Sequence, residues 1–565
     1  MPQILLAWLA AGLLALLWGK LLDDFSRRWF PAKPASSLWM YFWTGLALLS
    51  VFLSIVTFFF PLDPAAKSLL WPGLFLPVLF RPSALKEVFR RMLDGFSRLG
   101  IPGWLLFGLG AGTGLLKSAG LPEIFDEGAY HLPLIRMWEQ QGLVAGIANL
   151  NGHYGLHSVW HLLSAFTNPD FIPGMASEMS LNGLLAALLA LFAGSRLQEL
   201  LQYSSRFRLS SLAAVFLPAL LFRNLLSSPS TDIPAIAGSW FFFLLWLEAM
   251  EKGEPLRHRW DLFLVLPVWI VTVKSSTAGL LTVCLFFLLA LRRNKENRAL
   301  VFSLSAALLA GGIWVLQNWL ISGYAVFPLG ITALGSPPWQ VTAECIQKKF
   351  YLEQFGAFAP PESYSLAWLK TWISAQNPDS RLIIFLALFF FLLVPLLLRK
   401  KAGFILYSGF YFLLLLQAGI WFFTITEPRY GFGALVISAL LLPALLLQKL
   451  FLFKPGWRRL MLLILLPLLF NLVKTSKEYL ARQPDFMRPA AVPSVSYRML
   501  SCGNFQASFP QRYTGTVPAG KPVFCWDCPF PCLPLEGGED SAFVFKGKNA
   551  CFTYFYFDKT RTNKP

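Results

Sequence analysis

The chain has 565 residues, of which 56% are apolar and only 14% charged, with a mean hydropathy of +0.56. Soluble domains carry roughly 25% charged residues, so this composition excludes an ordinary soluble enzyme and predicts a polytopic membrane protein. The formal charge of +18 does not point to nucleic acid: the basic residues fall mainly in short connections between apolar runs, with no separate basic stripe interleaved with aromatics.

A bilayer-crossing helix needs about 20 mostly apolar residues. The opening run, MPQILLAWLAAGLLALLWGK, lacks a positive n-region and a small-residue cleavage site, and reads as a retained helix. Apolar runs then recur at 38–60, 67–81, 101–118, 179–195, 209–226, 232–250, 261–273, 275–291, 299–320, 381–398, 403–424, 430–453 and 456–473. They predict an all-α fold with 12–14 transmembrane helices, in which 67–81 and the pair around Lys274 are short enough to be half-helices. Lys and Arg alternate between connections. Arg27, Arg28 and Lys33 open a basic series that continues through Arg90 and Arg91, Arg206 and Arg208, Lys252 and Arg257, and Arg292 and Arg293, to Lys400 and Arg459. Basic connections stay cytoplasmic, so both termini are expected on the outer side of a cytoplasmic membrane.

The first long interruption is Leu121–Asp170, which holds four of the five histidines and the adjacent acids Asp126 and Glu127. Asp126 and Tyr130 are four apart, as are Glu127 and His131, so each pair can share a helix face. The segment AYHLPLIRMWEQQG, which includes Arg136, has Leu132, Ile135 and Trp138 near helical spacing and predicts a helix lying in the membrane interface. Asp126 also suits a plain helix cap. His153, His157 and His161 repeat at four-residue spacing, which on a helix would offer three imidazoles to a transition metal. Gly152 and Gly155 weaken that helix, and interfacial histidines bonding backbone or lipid phosphate are the simpler reading.

Asp232 follows SSPST at the start of an apolar run, where Pro234 fits a first helical turn. Lys274 lies inside VWIVTVKSSTAGLLTV, and a cation there costs roughly 2.5–3.5 kcal/mol on insertion scales, so it should face a cavity or an anion. With Ser275 and Ser276 at a break between half-helices it would suit a phosphate. Asn318 ends another run, and Trp339 sits in PPWQV within a loop too long to be a simple connection. Glu427, Pro428 and Arg429 form a short turn in which a Glu–Arg pair is the simple reading and an arginine fork on phosphate the functional one. From Asn471 the tail becomes mixed and β-prone, with Cys502, Cys525, Cys528, Cys532 and Cys551. Disulfides and a C-x2-C zinc knot compete there; an oxidising outer compartment favours disulfides, with Cys525–Cys532 as the first pair.

In order, these features resemble the GT-C superfamily of polyprenyl-phosphate-sugar-dependent glycosyltransferases, where an acidic residue, often in a D-E pair, sits in the long first outer loop of a seven-helix module. FDEGAYH here follows the run 101–118, and six further runs lead to a second long loop at 321–380. The chain is also similar to a set of bacterial multipass proteins carrying D-x-x-x-Y-H, G-x-A-N-L, K-x-S, N-x-x-x-S-G-Y-x-x-x-P and C-W-D-x-P-x-P-C. Here these fall at Asp126–His131, Gly146–Leu150, Lys274–Ser276, Asn318–Pro328 and Cys525–Cys532, and Cys528 is extra.

The resemblance implies an N-terminal three-helix extension (1–100) and a GT-C-like module (101–320) with its catalytic outer loop at 119–178. A long outer loop (321–380), C-terminal helices (381–473) and a small outer β-containing domain (474–565) follow. It implies a sugar transferred from a polyprenyl-phosphate donor to a glycan, lipid or protein hydroxyl. Asp126 would act as base, with Glu127 beside it, and Lys274 and Arg429 would hold the donor phosphate. His131, Arg136, Asn149, His157, Asp232, Asn318, Trp339 and Glu427 complete the expected substrate contacts. Asp126 and Asp232 are the candidate ligands for Mg or Mn, which many members of the superfamily do without. A polysaccharide polymerase or ligase and a lipid-linked sugar transporter or flippase are the competing readings.

Overall fold

The computed structural model describes residues 2–120, 126–172, 181–202, 208–221, 225–343, 346, 364–398, 404–450, 457–482, 495–502 and 505–513. Nine helices among them are long and apolar enough to cross a membrane, or ten if one bent pair is counted as a span. The chain is therefore a multi-pass membrane protein.

Helices α1 (Pro2–Ser26) and α2 (Leu38–Val56) form an antiparallel hairpin, followed by α3 (Pro64–Leu79), α4 (Pro82–Ser97) and α5 (Gly100–Ala119). α4 and α5 meet at 107°. α5 packs tightly on α8 (Asn182–Gln202), and a Cβ on Gly114 would come within 2.6 Å of the Gly183 carbonyl, so small residues let the two backbones touch. α10 (Asp232–Lys252) is the central helix: 94% of its apolar window is buried. α9 (Leu209–Phe216) and α11 (Leu266–Val273) pack on it, and α12 (Leu281–Arg293) and α13 (Asn297–Ser322) follow in the chain. α14 (Leu366–Ala375), α15 (Pro378–Leu398), α16 (Phe404–Thr424), α17 (Pro428–Leu450) and α18 (Trp457–Arg482) complete the helices. Strands β1 (Val495–Cys502) and β2 (Phe505–Tyr513) pair as an antiparallel hairpin. Cys525 and Cys532 lie outside the described residues.

Among the described residues the span count falls below the expected 12–14, and several apolar runs form short or broken helices. The run 209–226 shortens to α9 and a 3₁₀ turn ending at Leu220, with Pro218 inside it. The run 261–273 begins as a π-helical turn at Asp261–Val265, and Pro267 sits at the start of α11. The run 101–118 is the upright arm of the bent pair.

The expected interfacial helix is also corrected. α6 (Leu132–Gln140) and α7 (Val159–Thr167) lie inside the protein, and all nine residues of α7 are buried. Their polar ends are satisfied internally rather than by headgroups, which is what permits burial. Lys67 of α3, fully buried, reaches Glu139 Oε1 at 3.1 Å, the Ala165 carbonyl at 3.0 Å and Asp170 Oδ1 at 2.6 Å.

The two ends of the bundle differ. α10 runs for 21 residues, about 31 Å, from Asp232 to Lys252. Beside Lys252 lie Glu248, Arg196, Glu199 and Arg208 in a chain of ion pairs. Asp261, at the foot of the α11 segment, joins Lys33 and Asp23 at that same Lys/Arg-rich end. Asp232 marks the other end.

Candidate functional site

Four segments converge at the Asp232 end. The first is the π-helical turn Glu127–His131, preceded by Asp126. The second is the start of α10, where Ser230 Oγ accepts from the Asp232 amide at 3.2 Å. Buried Asn182 on α8 holds that approach by donating to the Ser228 carbonyl at 2.6 Å and the Ser230 carbonyl at 2.9 Å. The third is the break after α11. Three β-branched residues, Val271, Thr272 and Val273, weaken the helix end, and Lys274 turns extended at φ −152° and ψ 114°. Ser158 at the head of α7 fixes the break through the Val273 carbonyl at 2.7 Å, and Gln417 of α16 through the Ser276 carbonyl at 2.8 Å. The fourth is the start of α17, where Trp421 Nε1 donates to the Glu427 carbonyl at 2.7 Å. Trp240 Nε1 of α10 ties the same helix at the Phe432 carbonyl, 3.0 Å away.

Together they place Asp126, Asp232, Lys274, Glu427 and Arg429 in one cluster. Arg429 Nη2 donates to Asp126 Oδ2 at 3.2 Å, while its Nη1 stands 3.6 Å from Asp232 Oδ2. Glu427 Oε1 is 3.8 Å from Arg429 Nε. Lys274 pairs with the other oxygen of Asp232 and sits over the Tyr430 ring, 3.6 Å from its centre. Asp232 is almost fully buried, whereas the side chains of Lys274 (18% exposed), Asp126 (21%) and Arg429 (28%) open outward. The cluster is therefore a lip, dry beneath and wet above. Arg429 Nε, Ser276 Oγ and Gln417 Oε1 are buried without a hydrogen-bond partner among the described residues.

Glu127 is not at the lip. It is buried beside Ser228, which bonds one of its oxygens, and Oε2 has no partner among the described residues. Burial pushes its carboxyl up to about 8, so it is protonated at neutral pH, and the accessible carboxylates at the lip are Asp126 and Glu427. Burial also raises Glu427, against the pull of Arg429 and Lys274.

The histidines divide. His131 Nδ1 lies 2.9 Å from His161 Nε2, and burial holds both rings neutral, with Lys274 and Arg429 adding to the effect at His131. His153 stacks on Tyr130 with ring centres 4.5 Å apart. His157 bonds Gln317 Oε1 at 2.9 Å, and Gln317 Nε2 donates to the Ser54 carbonyl and Thr57. The three-imidazole face does not form, because the chain leaves its 3₁₀ turn at Gly155 and begins α7 only at Val159.

Five other expected contacts have structural tasks. His157 braces α13 through Gln317. Arg136 pairs with Glu139 at 3.3 Å, in the Lys67 cluster. Asn318 donates to the Trp314 carbonyl on its own helix at 2.9 Å. Asn149 and Trp339 meet each other, the Asn149 amide donating to the Trp339 carbonyl at 2.6 Å. Trp339 in turn donates to the Trp319 carbonyl at 3.2 Å.

Asp126 and Asp232, the expected divalent-ion ligands, are both engaged by cations in this structure. No group of three or more His, Cys, Asp or Glu that could hold a metal exists among the described residues. Arg429 stands between these two carboxylates, and Lys274 takes the second oxygen of Asp232. Tyr430 and Asn182 are the site residues that sequence reasoning missed. Tyr430 was signalled only by its adjacency to Arg429, and Asn182 only as an amide in an apolar helix.

A family model described as a domain of unknown function, DUF8201, matches residues 1–436 of the chain. No curated protein and no solved structure matches it. The matched stretch contains every member of the charge cluster and ends before the C-terminal hairpin. The chain thus belongs to the DUF8201 family.

Proposed function

We propose that this protein is a glycosyltransferase of the GT-C type. It takes a sugar from a polyprenyl-phosphate donor and attaches it to an acceptor hydroxyl at the outer face of the cytoplasmic membrane. The observation that carries this reading is the lip: a partly exposed carboxylate, Asp126, accepts a hydrogen bond from a guanidinium that also faces Asp232, the partner of Lys274, while the second partly exposed acid, Glu427, stands farther from that guanidinium at 3.8 Å. It lies at the end of the bundle opposite the Lys/Arg-rich end, which the distribution of basic residues makes cytoplasmic. A donor on the outer side must arrive on a lipid, because nucleotide sugars stay within.

The chemistry needs two things that this arrangement offers. Asp126 accepts the proton from the acceptor hydroxyl as its oxygen attacks the anomeric carbon. The bond from that carbon to the phosphate oxygen breaks with its electron pair leaving on the phosphate, and the anomeric configuration inverts. Lys274 and Arg429 neutralise the charge that grows there, and Arg429 can offer a planar fork to phosphate. In the structure both cations are engaged by Asp126 and Asp232, so donor phosphate competes with carboxylates for them. Such competition favours release of the product lipid phosphate.

The direct test is retention of a short-chain polyprenyl phosphate by the purified full chain, followed by native mass spectrometry. The wild type should retain one lipid phosphate, and Lys274→Gln and Arg429→Gln should each weaken retention at least tenfold. Equal retention by all three proteins would remove the phosphate site. A second reading, a lipid-linked sugar transporter, is favoured by the broken helix at Lys274. Labelled substrate crossing vesicles without forming a covalent product would support it over transfer.

A further inference from the structure

We infer that α4 lies in the plane of the membrane at the Lys/Arg-rich end and selects anionic lipid headgroups there. The 107° bend between α4 and α5 sets the geometry. α5 packs on α8, which is long and apolar enough to span, so α4, roughly perpendicular to α5, runs along the membrane surface.

The sixteen residues of α4 divide into three sectors. Ala84 and Val88 are buried, and Val88 packs with Leu17 of α1 and Tyr41 of α2. The same sector is fastened by charge: Glu87 Oε2 is 2.9 Å from Lys20, and Arg91 Nη1 donates to the Ser36 carbonyl at 2.8 Å. A second sector is apolar and open. Phe89 is 44% and Leu93 67% exposed, and Phe96 stacks on Trp104 of α5 with ring centres 5.5 Å apart. The third carries Lys86 and Arg90, both exposed, with Arg81 and Arg98 at the two ends.

The order of these sectors identifies the occupant. Leu93 and Phe89 stand beside Lys86 and Arg90 around the helix, so one edge meets hydrocarbon while the next meets headgroups. Glu87 is turned inward onto Lys20 and Arg91. Its charge is thereby taken out of the outward face, where Asp94 is the acid left against four bases. Lys86 and Arg90 pair with no carboxylate among the described residues. A neutral bilayer would satisfy Phe89 and Leu93 but leave these cations unused; an anionic one satisfies both. Trp104 (46% exposed) and Ile101 (78%), at the foot of α5, continue the open apolar edge, and an interfacial tryptophan is expected at this depth.

The experiment places a benzophenone amino acid at Leu93 in the full chain, reconstituted in vesicles of equal phosphatidylglycerol and phosphatidylcholine. Photo-adducts are then read by mass spectrometry. Phosphatidylglycerol adducts should exceed phosphatidylcholine adducts roughly fivefold or more, the bias of a basic side chain engaged at the surface. Lys86→Gln with Arg90→Gln should bring the ratio within twofold of parity, while Lys86→Arg with Arg90→Lys should keep it. Equal adducts in the starting protein, cross-links to a second copy instead of lipid, or a bias indifferent to the Gln pair would each overturn the inference.

Discussion

Two buried ion clusters sit at opposite ends of this protein, and they differ in closure rather than in composition. At the Lys/Arg-rich end Lys33 Nζ is 2.5 Å from Asp23 and 3.4 Å from Asp261. Ser36 Oγ lies 2.8 Å from one oxygen of each acid. None of these three charged side chains exceeds 3% exposure, and the exposed Arg27 (37%) joins them from the surface, donating to Asp23 Oδ2 at 3.0 Å. At the other end Arg429, Lys274, Asp126 and Asp232 use similar residue types, yet three of the four are partly exposed at the lip, and several polar atoms beneath them have no hydrogen-bond partner among the described residues. A closed cluster can only hold helices together. An open one can exchange a partner for a substrate, and that separates a staple from a site.

The comparison breaks most readily at Asp23. Asp23→Ala leaves Lys33 buried beside Asp261 alone and should destabilise the protein by about 3–5 kcal/mol. The readout is a large fall in thermal midpoint on fluorescence-detected gel filtration. A shift no larger than that of a surface variant would mean the cluster is not closed.

At the open end the effects should move from stability to activity. Lys274→Gln should reduce sugar transfer by about 10²–10³-fold, as loss of a charge-stabilising donor does, while the folded fraction is retained. His157→Ala should do the reverse. It removes the bond to Gln317 and should lower stability by about 1–3 kcal/mol, yet leave transfer per folded molecule within about twofold. If transfer collapsed while stability held, His157 would return to the site.

A further effect depends on pH. Glu127, pushed up to about 8, holds its proton in the folded protein, whereas the unfolded chain ionises near the ordinary value of 4.5. The folded state binds more protons between those values, so this contribution is present below about 4.5 and is lost as pH rises through about 8. Glu127→Gln removes it. The variant's thermal midpoint relative to wild type should therefore climb from about pH 5 to about pH 8 and then level. A difference that stays constant across that range would mean Glu127 is ionised in the folded state.

The open cluster was partly legible in the sequence: Lys274 stood out because charge inside an apolar run is costly, Asp232 because it opens such a run, and Arg429 because it shares a short turn with Glu427 between two runs. Asn318, His157 and Asn149, also expected as substrate contacts, have partners within the protein. A polar side chain in an apolar setting needs a partner, and the partner can be a backbone carbonyl or a glutamine as easily as a substrate. The partners came from far along the chain, 160 residues for His157 with Gln317 and 190 for Asn149 with Trp339, which no local pattern encodes. Most spanning helices were legible as runs of about 20 apolar residues. The runs ending in α9 and α11 were not, because Pro218, Pro267 and the buried Asp261 shorten them in ways that hydropathy does not register. α4 showed its basic residues in the sequence; its turn of 107° away from α5 emerged only from packing.

The central claim is that Asp126 is the base of a transferase. The measurement is sugar transfer from a polyprenyl-phosphate donor to acceptor in vesicles containing full-length Asp126→Asn. That substitution keeps the shape and alters one partner of a partly exposed ion pair, so the protein should fold and insert normally. Transfer should fall by about 10²–10⁴-fold with donor retention intact. Transfer at the wild-type rate by a correctly inserted Asp126→Asn protein would contradict it.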